Sequence, residues 1–184
     1  MVRIYKKNFF NILKIVSLLK KGKVGVIPTD TVYGISGKVP DTEKLIFKIK
    51  GRIPEKAFIQ LIAKKKDISN YTDTIIPNSI LKHWPGPLTI IVKLKSSEKS
   101  VAFRCPADRW LRILLNFCKF PLYSTSVNRT GSELKTNIKD IVSEFSNELD
   151  FIVDSGELNN LPSTIVDLTG KEPKVLRQGI IKID

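Results

Sequence analysis

Hydroxyl-bearing side chains follow a short apolar run in the segment Thr29-Asp30-Thr31-Val32-Tyr33. In an extended chain the side chains alternate between two faces, so Thr29, Thr31 and Tyr33 would share one face. The end of a core strand is a common position for a ligand in α/β sheets. The segment therefore predicts either a ligand-binding face or an ordinary turn whose hydroxyls cap the backbone.

A second polar stretch, Tyr123-Ser124-Thr125-Ser126-Val127-Asn128, shows the same alternation. Ser124, Ser126 and Asn128 would lie on one face of a strand. Such a face is costly to bury unless another group hydrogen-bonds to it. The pattern indicates either a ligand face or a solvent-facing edge strand.

Three cations stand where they could hold an anion. Lys50 and Arg52 flank Gly51, which lets the backbone turn sharply between a predicted helix and a predicted strand. Arg177 lies in a predicted hairpin. Such cations could bind a triphosphate or a carboxylate. The alternative is that Lys50 and Arg52 are ordinary cations at a helix C-terminus and that Arg177 is solvated.

The standard catalytic motifs are absent from the sequence. It contains no P-loop, no G-x-G-x-x-G and a single histidine, His83, so a paired-histidine zinc site is excluded and no Ser-His-Asp or Cys-His arrangement is supported. Cys105 and Cys118 have no metal-ligand spacing and form no disulfide framework, which favours a reducing cytosol. A phosphate-handling enzyme of this kind would depend on side-chain cations.

Length and composition are typical of one globular domain. The chain has 184 residues, 42% hydrophobic and 27% charged, and no linker divides it, so we expect a single domain over residues 1–184. No apolar run could span a bilayer and no signal peptide is indicated, which excludes secreted and membrane-spanning classes. The net charge of +13 would attract nucleotides, nucleic acid or an anionic membrane. However, 24 of the 31 basic residues are Lys and Ile is equally abundant, which looks more like compositional drift than a selected patch.

The hydrophobic periodicity predicts the elements that position these residues. Helical spacing predicts helices over residues 9–21, 42–50, 77–84, 109–117 and 138–145. Apolar runs predict strands over residues 24–27, 57–63, 88–94, 101–104, 122–128, 151–153, 163–168 and 174–177, the last two as a hairpin. Helices and strands alternate early and hairpins cluster late, which is typical of an α/β fold with a mixed sheet.

Six segments follow one another in a fixed order along the chain. They are Thr29-Asp30-Thr31-Val32-Tyr33-Gly34, Lys50-Gly51-Arg52, Trp84-Pro85-Gly86-Pro87-Leu88-Thr89, Ser124-Thr125-Ser126-Val127-Asn128, Ser163-Thr164-Ile165-Val166-Asp167 and Leu176-Arg177-Gln178-Gly179. In this order they resemble the YrdC/TsaC family, the threonylcarbamoyl-AMP synthases of tRNA modification. Each segment alone is weak evidence for the family, but the order of all six makes the resemblance specific. The resemblance covers nearly the whole chain.

The resemblance implies a fold and a reaction. The fold would be a twisted open sheet of mixed parallel and antiparallel strands, with flanking helices and a concave basic groove, in the short form that lacks a C-terminal extension domain. The enzyme would be a nucleotidyltransferase that makes L-threonylcarbamoyladenylate and pyrophosphate from L-threonine, bicarbonate and ATP. Mg²⁺ would accompany ATP, bound mainly by its phosphates.

The resemblance also implies a biological setting. The product would supply the threonylcarbamoyl group on adenosine 37 of tRNAs that read codons beginning with A. Proteins of a threonylcarbamoyl-transferase complex would perform that transfer as partners, in the cytoplasm. A direct contact with tRNA is compatible with this role, and no membrane contact is expected.

Roles follow from the resemblance residue by residue. Lys50 and Arg52 would be the catalytic cations on the ATP phosphates. The expected ATP ligands are Arg52, Lys56, Thr89, Ser126, Asn128 and Arg177, and the expected threonine ligands are Thr31, Ser124 and Ser163. No residue is assigned to a metal. The chain departs from the family pattern at Ile53-Pro54, because proline usually follows the arginine directly, and this shift could re-aim Arg52 and Lys56.

Two other functions fit the same sequence. A binding module could grip double-stranded RNA or tRNA in the basic groove, with an affinity that falls steeply with salt and depends little on threonine. A different carbamoyl transfer is the other alternative, since similar domains occur inside hydrogenase-maturation proteins. The zinc-finger and acylphosphatase segments of those proteins are absent from this sequence, which weakens that alternative.

Overall fold

The computed structural model describes residues 2–51 and 57–183, in which helices and strands alternate. The helices are α1 (Ile12–Lys20), α2 (Glu43–Lys50), α3 (Asn78–Leu81), α4 (Arg109–Cys118) and α5 (Ile138–Phe145). The strands are β1 (Arg3–Lys6), β2 (Gly25–Pro28), β3 (Tyr33–Lys38), β4 (Ile59–Leu61), β5 (Leu88–Lys93), β6 (Ser100–Arg104), β7 (Leu122–Ser126), β8 (Phe151–Asp154), β9 (Thr164–Asp167) and β10 (Lys174–Arg177). None of the helices described here is long and apolar enough to cross a membrane.

Most predicted helices begin and end where the sequence predicts, for local reasons. Asn8 accepts a hydrogen bond from the N–H of Asn11 and starts a short 3-10 segment that leads into α1. Asp108 caps α4 by accepting from the N–H of Leu111. Gly51 ends α2 at φ +59°, a left-handed conformation that glycine adopts at little cost.

The sequence periodicity misses two strands, β1 and β3. Charged residues occupy both ends of the four-residue β1, and β3 contains two glycines and a serine, which are not strand-forming residues. Of the two alternatives for residues 29–33, the structure shows the turn whose hydroxyls cap the backbone, up to Val32, and Tyr33 begins β3. These residues form the turn between β2 and β3, because the Thr29 hydroxyl donates to the Val32 carbonyl at 2.7 Å and Pro28 pairs with Tyr33.

The ten strands of the described residues form one sheet, in the order β1-β8-β2-β3-β7-β4-β6-β5-β9-β10. β8 pairs in parallel with β1 and β2, β4 with β6, and β5 with β9, whereas the other neighbouring strands pair antiparallel. This confirms the mixed open sheet with flanking helices. β7 lies between β3 and β4 in the middle of the sheet, which excludes the edge-strand interpretation of the serine-rich segment.

Strand register places the β7 serines on one face, here called the site face and defined by Gly34, Ser36, Ile59, Ser124 and Ser126. Ser126 pairs with Gly34, and Ser124 lies between Ser36 and Ile59. Residues that pair directly across strands point to the same face. The shared face predicted for Ser124 and Ser126 is therefore confirmed, whereas Asn128, predicted to continue it, lies beyond the end of β7, where its N–H donates to the Ser126 carbonyl.

Helices cover the two faces of the sheet unevenly. α2 and α5 pack on the face opposite the site face, in a core that includes Ile46 and Phe145. α1 and α4 cover one end of the site face, around Ile27 and Leu122. Beyond that end, a cavity rather than a helix adjoins the site face at Ser124.

Candidate functional site

The turn between β2 and β3 is held by its own hydroxyls and by an arginine from β6. The Oγ1 atoms of Thr29 and Thr31 are 3.0 Å apart, and the Thr29 oxygen accepts from the N–H of Thr31. The Arg104 guanidinium donates to Thr31 Oγ1 at 2.9 Å and to the Asp30 carboxylate at 2.6 Å. The second Asp30 oxygen accepts from the N–H of Ala107 at 3.0 Å. Thr31 is thus fixed relative to β6.

Arg104 is a site residue that the sequence analysis missed. Its side chain is 5% exposed and that of Asp30 is 13% exposed, so the ion pair is buried. Its Nε also donates to the Gly86 carbonyl at 3.3 Å. A buried charge is stable only when it is paired in this way, because desolvation is costly. The available signal was an arginine at the end of an apolar strand in a chain with few arginines.

Ser163 and Arg177 form a second polar cluster, at the β9–β10 hairpin. Arg177 donates from Nε and Nη2 to the Ser163 carbonyl at 3.0 and 2.8 Å, and from Nη2 to the Ser163 hydroxyl at 3.2 Å. Burial lowers the pKa of Arg177, and the nearby charge of Arg104 lowers it further. A guanidinium group whose charged form is disfavoured in this way is in a favourable setting for an anionic ligand.

Lys50, Ser126 and Asn128 meet although they are far apart in the sequence. Lys50 Nζ donates to the Ser126 carbonyl at 2.8 Å and to Asn128 Oδ1 at 2.7 Å. The Ser126 hydroxyl donates to the same Asn128 oxygen at 2.7 Å, and Asn128 Nδ2 donates to the Ser132 carbonyl at 2.7 Å. Lys50 is 4% exposed, so its ammonium group is a desolvated cation stabilised by these acceptors.

A cavity of about 400 Å³ joins these clusters on the site face. Its polar lining includes Thr29, Thr31, Tyr33, Arg104, Ser124, Thr125, Ser126, Ser163 and Arg177. Its apolar lining includes Val32, Ala57, Phe58, Ile59, Pro162 and Ile165. The size and the mixed lining are typical of a small-molecule site.

The cavity brings together five of the residues that the sequence analysis selected: Thr31, Ser124, Ser126, Ser163 and Arg177. Lys50 and Asn128 connect to it through Ser126. Thr89 is 0% exposed, and its hydroxyl lies 2.8 Å from that of Ser163, so it supports the site from within the sheet. The assignment of Thr89 as an ATP ligand stays a prediction.

Comparison with known proteins decides the family. The family model Sua5/YciO/YrdC, described as telomere recombination, matches residues 17–179. The chain belongs to the Sua5/YciO/YrdC family. The resemblance predicted from six short segments is therefore confirmed.

Relatives in the Sua5/YciO/YrdC family include proteins named threonylcarbamoyl-AMP synthase. The one from Aliivibrio fischeri is 29% identical over 185 residues, which cover 92% of this chain and 99% of that protein. The one from Pyrococcus abyssi is 28% identical over 180 residues, 90% of this chain but only 53% of that protein. This chain thus spans about half the length of the Pyrococcus relative.

Solved structures of family members have the same fold. Escherichia coli YciO superposes with a TM-score of 0.87 at 25% identity, covering 100% of this chain and 98% of YciO. Pyrococcus abyssi Sua5, solved in complex with L-threonine, superposes with a TM-score of 0.85 at 27% identity, covering 97% of this chain and 57% of Sua5.

Two of the family residues selected from the sequence, Arg52 and Lys56, lie outside the described residues. Their contacts with phosphate stay a prediction, as does the effect of the Ile53-Pro54 shift. Within residues 2–51 and 57–183, no group of three or more His, Cys, Asp or Glu residues could hold a metal ion. The Asp30 carboxylate beside the cavity has both oxygens engaged. The described donors therefore do not fit a protein-bound Mg²⁺.

Proposed function

We propose that this protein is a threonylcarbamoyl-AMP synthase, which makes L-threonylcarbamoyladenylate and pyrophosphate from L-threonine, bicarbonate and ATP. Relatives of that name match 90% and 92% of this chain. A family member with the same fold was solved with L-threonine. The reaction class would be nucleotidyl transfer from ATP to a carbamate.

The observation that carries the proposal is the convergence of hydroxyls and guanidinium groups on one cavity. Thr31, Ser124 and Ser163 present hydroxyls of the kind that bind the ammonium and hydroxyl groups of threonine. Arg177 supplies positive charge for a carboxylate, a carbamate or a phosphate, while Arg104 is paired with Asp30 and fixes Thr31. Arg104 is buried beside this cavity, whereas Arg177 is an exposed residue of β10 whose guanidinium bonds to Ser163.

The proposed chemistry needs no covalent enzyme intermediate. The threonine nitrogen attacks the bicarbonate carbon, and loss of water gives a carbamate. A carbamate oxygen then attacks the α-phosphorus of ATP, while the bond from that phosphorus to the bridging oxygen of the β-phosphate breaks and pyrophosphate leaves. Catalysis would depend on positioning and on stabilising phosphate charge.

We assign the two substrates, threonine and ATP, to different sides of the cavity. Thr31, Ser124 and Ser163 would hold threonine. ATP would be held by Lys50, Arg52, Lys56, Thr89, Ser126, Asn128 and Arg177. Of these, Lys50 and Arg52 would stabilise the charge that develops on the phosphates. Arg104 would act by fixing Thr31 at 2.9 Å.

The proposed reaction also involves Mg²⁺, partner proteins and tRNA. Because the described donors do not fit a metal, Mg²⁺ would be bound by the ATP phosphates and by water. The adenylate would pass to threonylcarbamoyl-transferase proteins in the cytoplasm, for modification of adenosine 37 in tRNA. The net charge of +13 is compatible with a direct tRNA contact.

The test is pyrophosphate release from ATP and Mg²⁺, with threonine and bicarbonate each supplied or omitted, and with the adenylate identified by mass. We expect release only with both co-substrates. The variant Ser163→Ala should lower the rate, whereas Ser69→Ala, at an exposed serine bonded only locally to the Lys66 carbonyl, should not. Release that needs neither co-substrate would contradict the proposal. Absent release together with salt-sensitive RNA binding would favour the RNA-binding module.

A further inference from the structure

Arg129, the residue after Asn128, connects three elements near the candidate site. Its guanidinium donates to the carbonyl of Ile49, in the last turn of α2. It also forms an ion pair with both carboxylate oxygens of Glu148, just beyond α5, and Nε lies 3.6 Å from Glu144 Oε1. The Arg129 guanidinium carbon stands 4.8 Å from the centroid of the Phe145 ring.

The neighbours of Arg129 wrap the same end of α2. On one side, the Lys50 ammonium group donates to the Ser126 carbonyl and to Asn128 Oδ1. On the other side, Thr130 donates from its N–H at 3.0 Å and from its hydroxyl at 3.1 Å to the Lys50 carbonyl. The segment that follows β7 and the end of α2 are therefore fastened together at successive residues.

This arrangement satisfies carbonyl groups that a helix end leaves without intrahelical partners. The last four carbonyls of an α-helix need hydrogen-bond donors from elsewhere, and a cation at that end is favoured by the helix dipole. Arg129 provides one such contact at Ile49, directly before Lys50. Because the Arg129 side chain is 35% exposed and that of Glu148 is 33% exposed, solvent screens the ion pair and its effect on overall stability should be small.

We infer that Arg129 is a positioning residue, which holds Lys50 and Asn128 in the geometry that binds ATP by bracing the end of α2 against α5. The inference rests on the proposed function. It concerns the ATP side of the cavity only. The threonine side depends on Thr31 and Ser163, which are fixed by other groups, Arg104 and Arg177.

The experiment measures KM for ATP and for threonine separately, together with ATP affinity by titration calorimetry, in Arg129→Gln and Arg129→Lys. We expect Arg129→Gln to raise the ATP KM and the calorimetric Kd by about tenfold, the usual size of a lost charged hydrogen bond, with the threonine KM within about twofold. Arg129→Lys keeps a cation for the Ile49 carbonyl and should recover most of the ATP affinity.

A matched control is Lys135→Met. Lys135 binds the same α5 carboxylate, Glu144, at 3.0 Å, and it has no described contact with the end of α2. This variant should leave both KM values unchanged. Lys135→Met could raise the ATP KM as much as Arg129→Gln does. In that case the change in charge beside α5, and not the contact between Arg129 and the end of α2, would cause the higher KM, and the inference would be wrong.

The outcomes separate this inference from the proposed function. If the wild-type protein binds no ATP and makes no adenylate, the proposed function fails. If the wild type is active but Arg129→Gln has an unchanged ATP KM, the inference fails while the function stands. A loss of kcat with both KM values unchanged, accompanied by a lower Tm, would show a purely structural role and would also overturn the inference.

Discussion

A Cβ atom at position 34 would lie 2.5 Å from the Oγ of Ser124. Gly34 in β3 and Ser124 in β7 are neighbours on the site face, and both line the cavity. Because glycine has no side chain, the Ser124 hydroxyl remains directed toward the cavity instead of being displaced. The absence of a side chain at Gly34 therefore allows Ser124, which we propose to bind threonine, to keep this orientation.

We predict that Gly34→Ala raises the threonine KM by about tenfold, because the new methyl group forces the Ser124 hydroxyl to rotate and one hydrogen bond is lost. The atom that must move is the end of a small side chain, so the Tm should change little. Steady-state kinetics with threonine as the varied substrate, together with thermal unfolding, would test this. An unchanged threonine KM would contradict it.

Gly37→Ala is the control for that prediction. Gly37 lies in the same strand as Gly34 but does not line the cavity. A Cβ atom at position 37 would lie 2.3 Å from Thr42 Oγ1. Thr42 is buried at 2% exposure and holds the start of α2 through the Lys38 carbonyl, so it cannot move freely. This variant should lower the Tm and leave the threonine KM unchanged.

Removing the Lys50 ammonium group should greatly lower the rate of adenylate formation in a chain that still folds. Lys50→Met keeps most of the side-chain volume but removes the donor to Asn128, and loss of one preorganised donor typically lowers a rate by ~100-fold. Adenylate formation and far-UV circular dichroism would be compared with those of Lys93→Met, whose lysine is half exposed and pairs with Glu98. Near wild-type turnover in folded Lys50→Met would contradict the assignment.

The buried ion pair between Asp30 and Arg104 should be sensitive to loss of one partner. Asp30→Ala leaves the Arg104 charge uncompensated at 5% exposure, so we expect the free energy of unfolding to fall by about 3 kcal/mol. Urea denaturation would measure this, and the double variant with Arg104→Met should recover part of the loss. Glu98→Gln, at an exposed pair, should have no measurable effect. Additive losses in the double variant would refute the coupling.

Alkaline pH should destabilise the protein through its two thiols. Burial raises the pKa of Cys105 to about 11 and that of Cys118 to about 12, from an ordinary value of 9.0. The unfolded chain therefore loses these protons first, and the free energy of unfolding falls as pH rises above about 9, by ~1.4 kcal/mol per pH unit and thiol.

Urea denaturation at pH 8 and pH 10 would test the thiol prediction. The decrease between the two pH values should be smaller in Cys118→Ala than in the wild type, even though removal of the buried thiol costs stability at both. An equal decrease in both proteins would show that the thiol does not contribute.

The local features of this protein follow from residues that are close together in the chain. Asn8, Asp108 and Gly51 mark helix ends because capping bonds and left-handed turns depend on residues close in the chain. The alternation of Ser124 and Ser126 determined that they share a face, since strand geometry has a period of two. The order of six short segments was enough to predict the family.

Which of these residues meet depends on the pairing of distant strands. Lys50 and Asn128 are 78 residues apart, and Arg104 and Asp30 are 74 residues apart, so no local period relates them. Their contacts depend on the strand order, which puts β7 in the middle of the sheet and brings the β2–β3 turn against the end of β6. Hydrophobic patterns specify which side of a strand is buried, but they do not specify its neighbours. For that reason Arg104 became visible as a site residue only once the strands were paired.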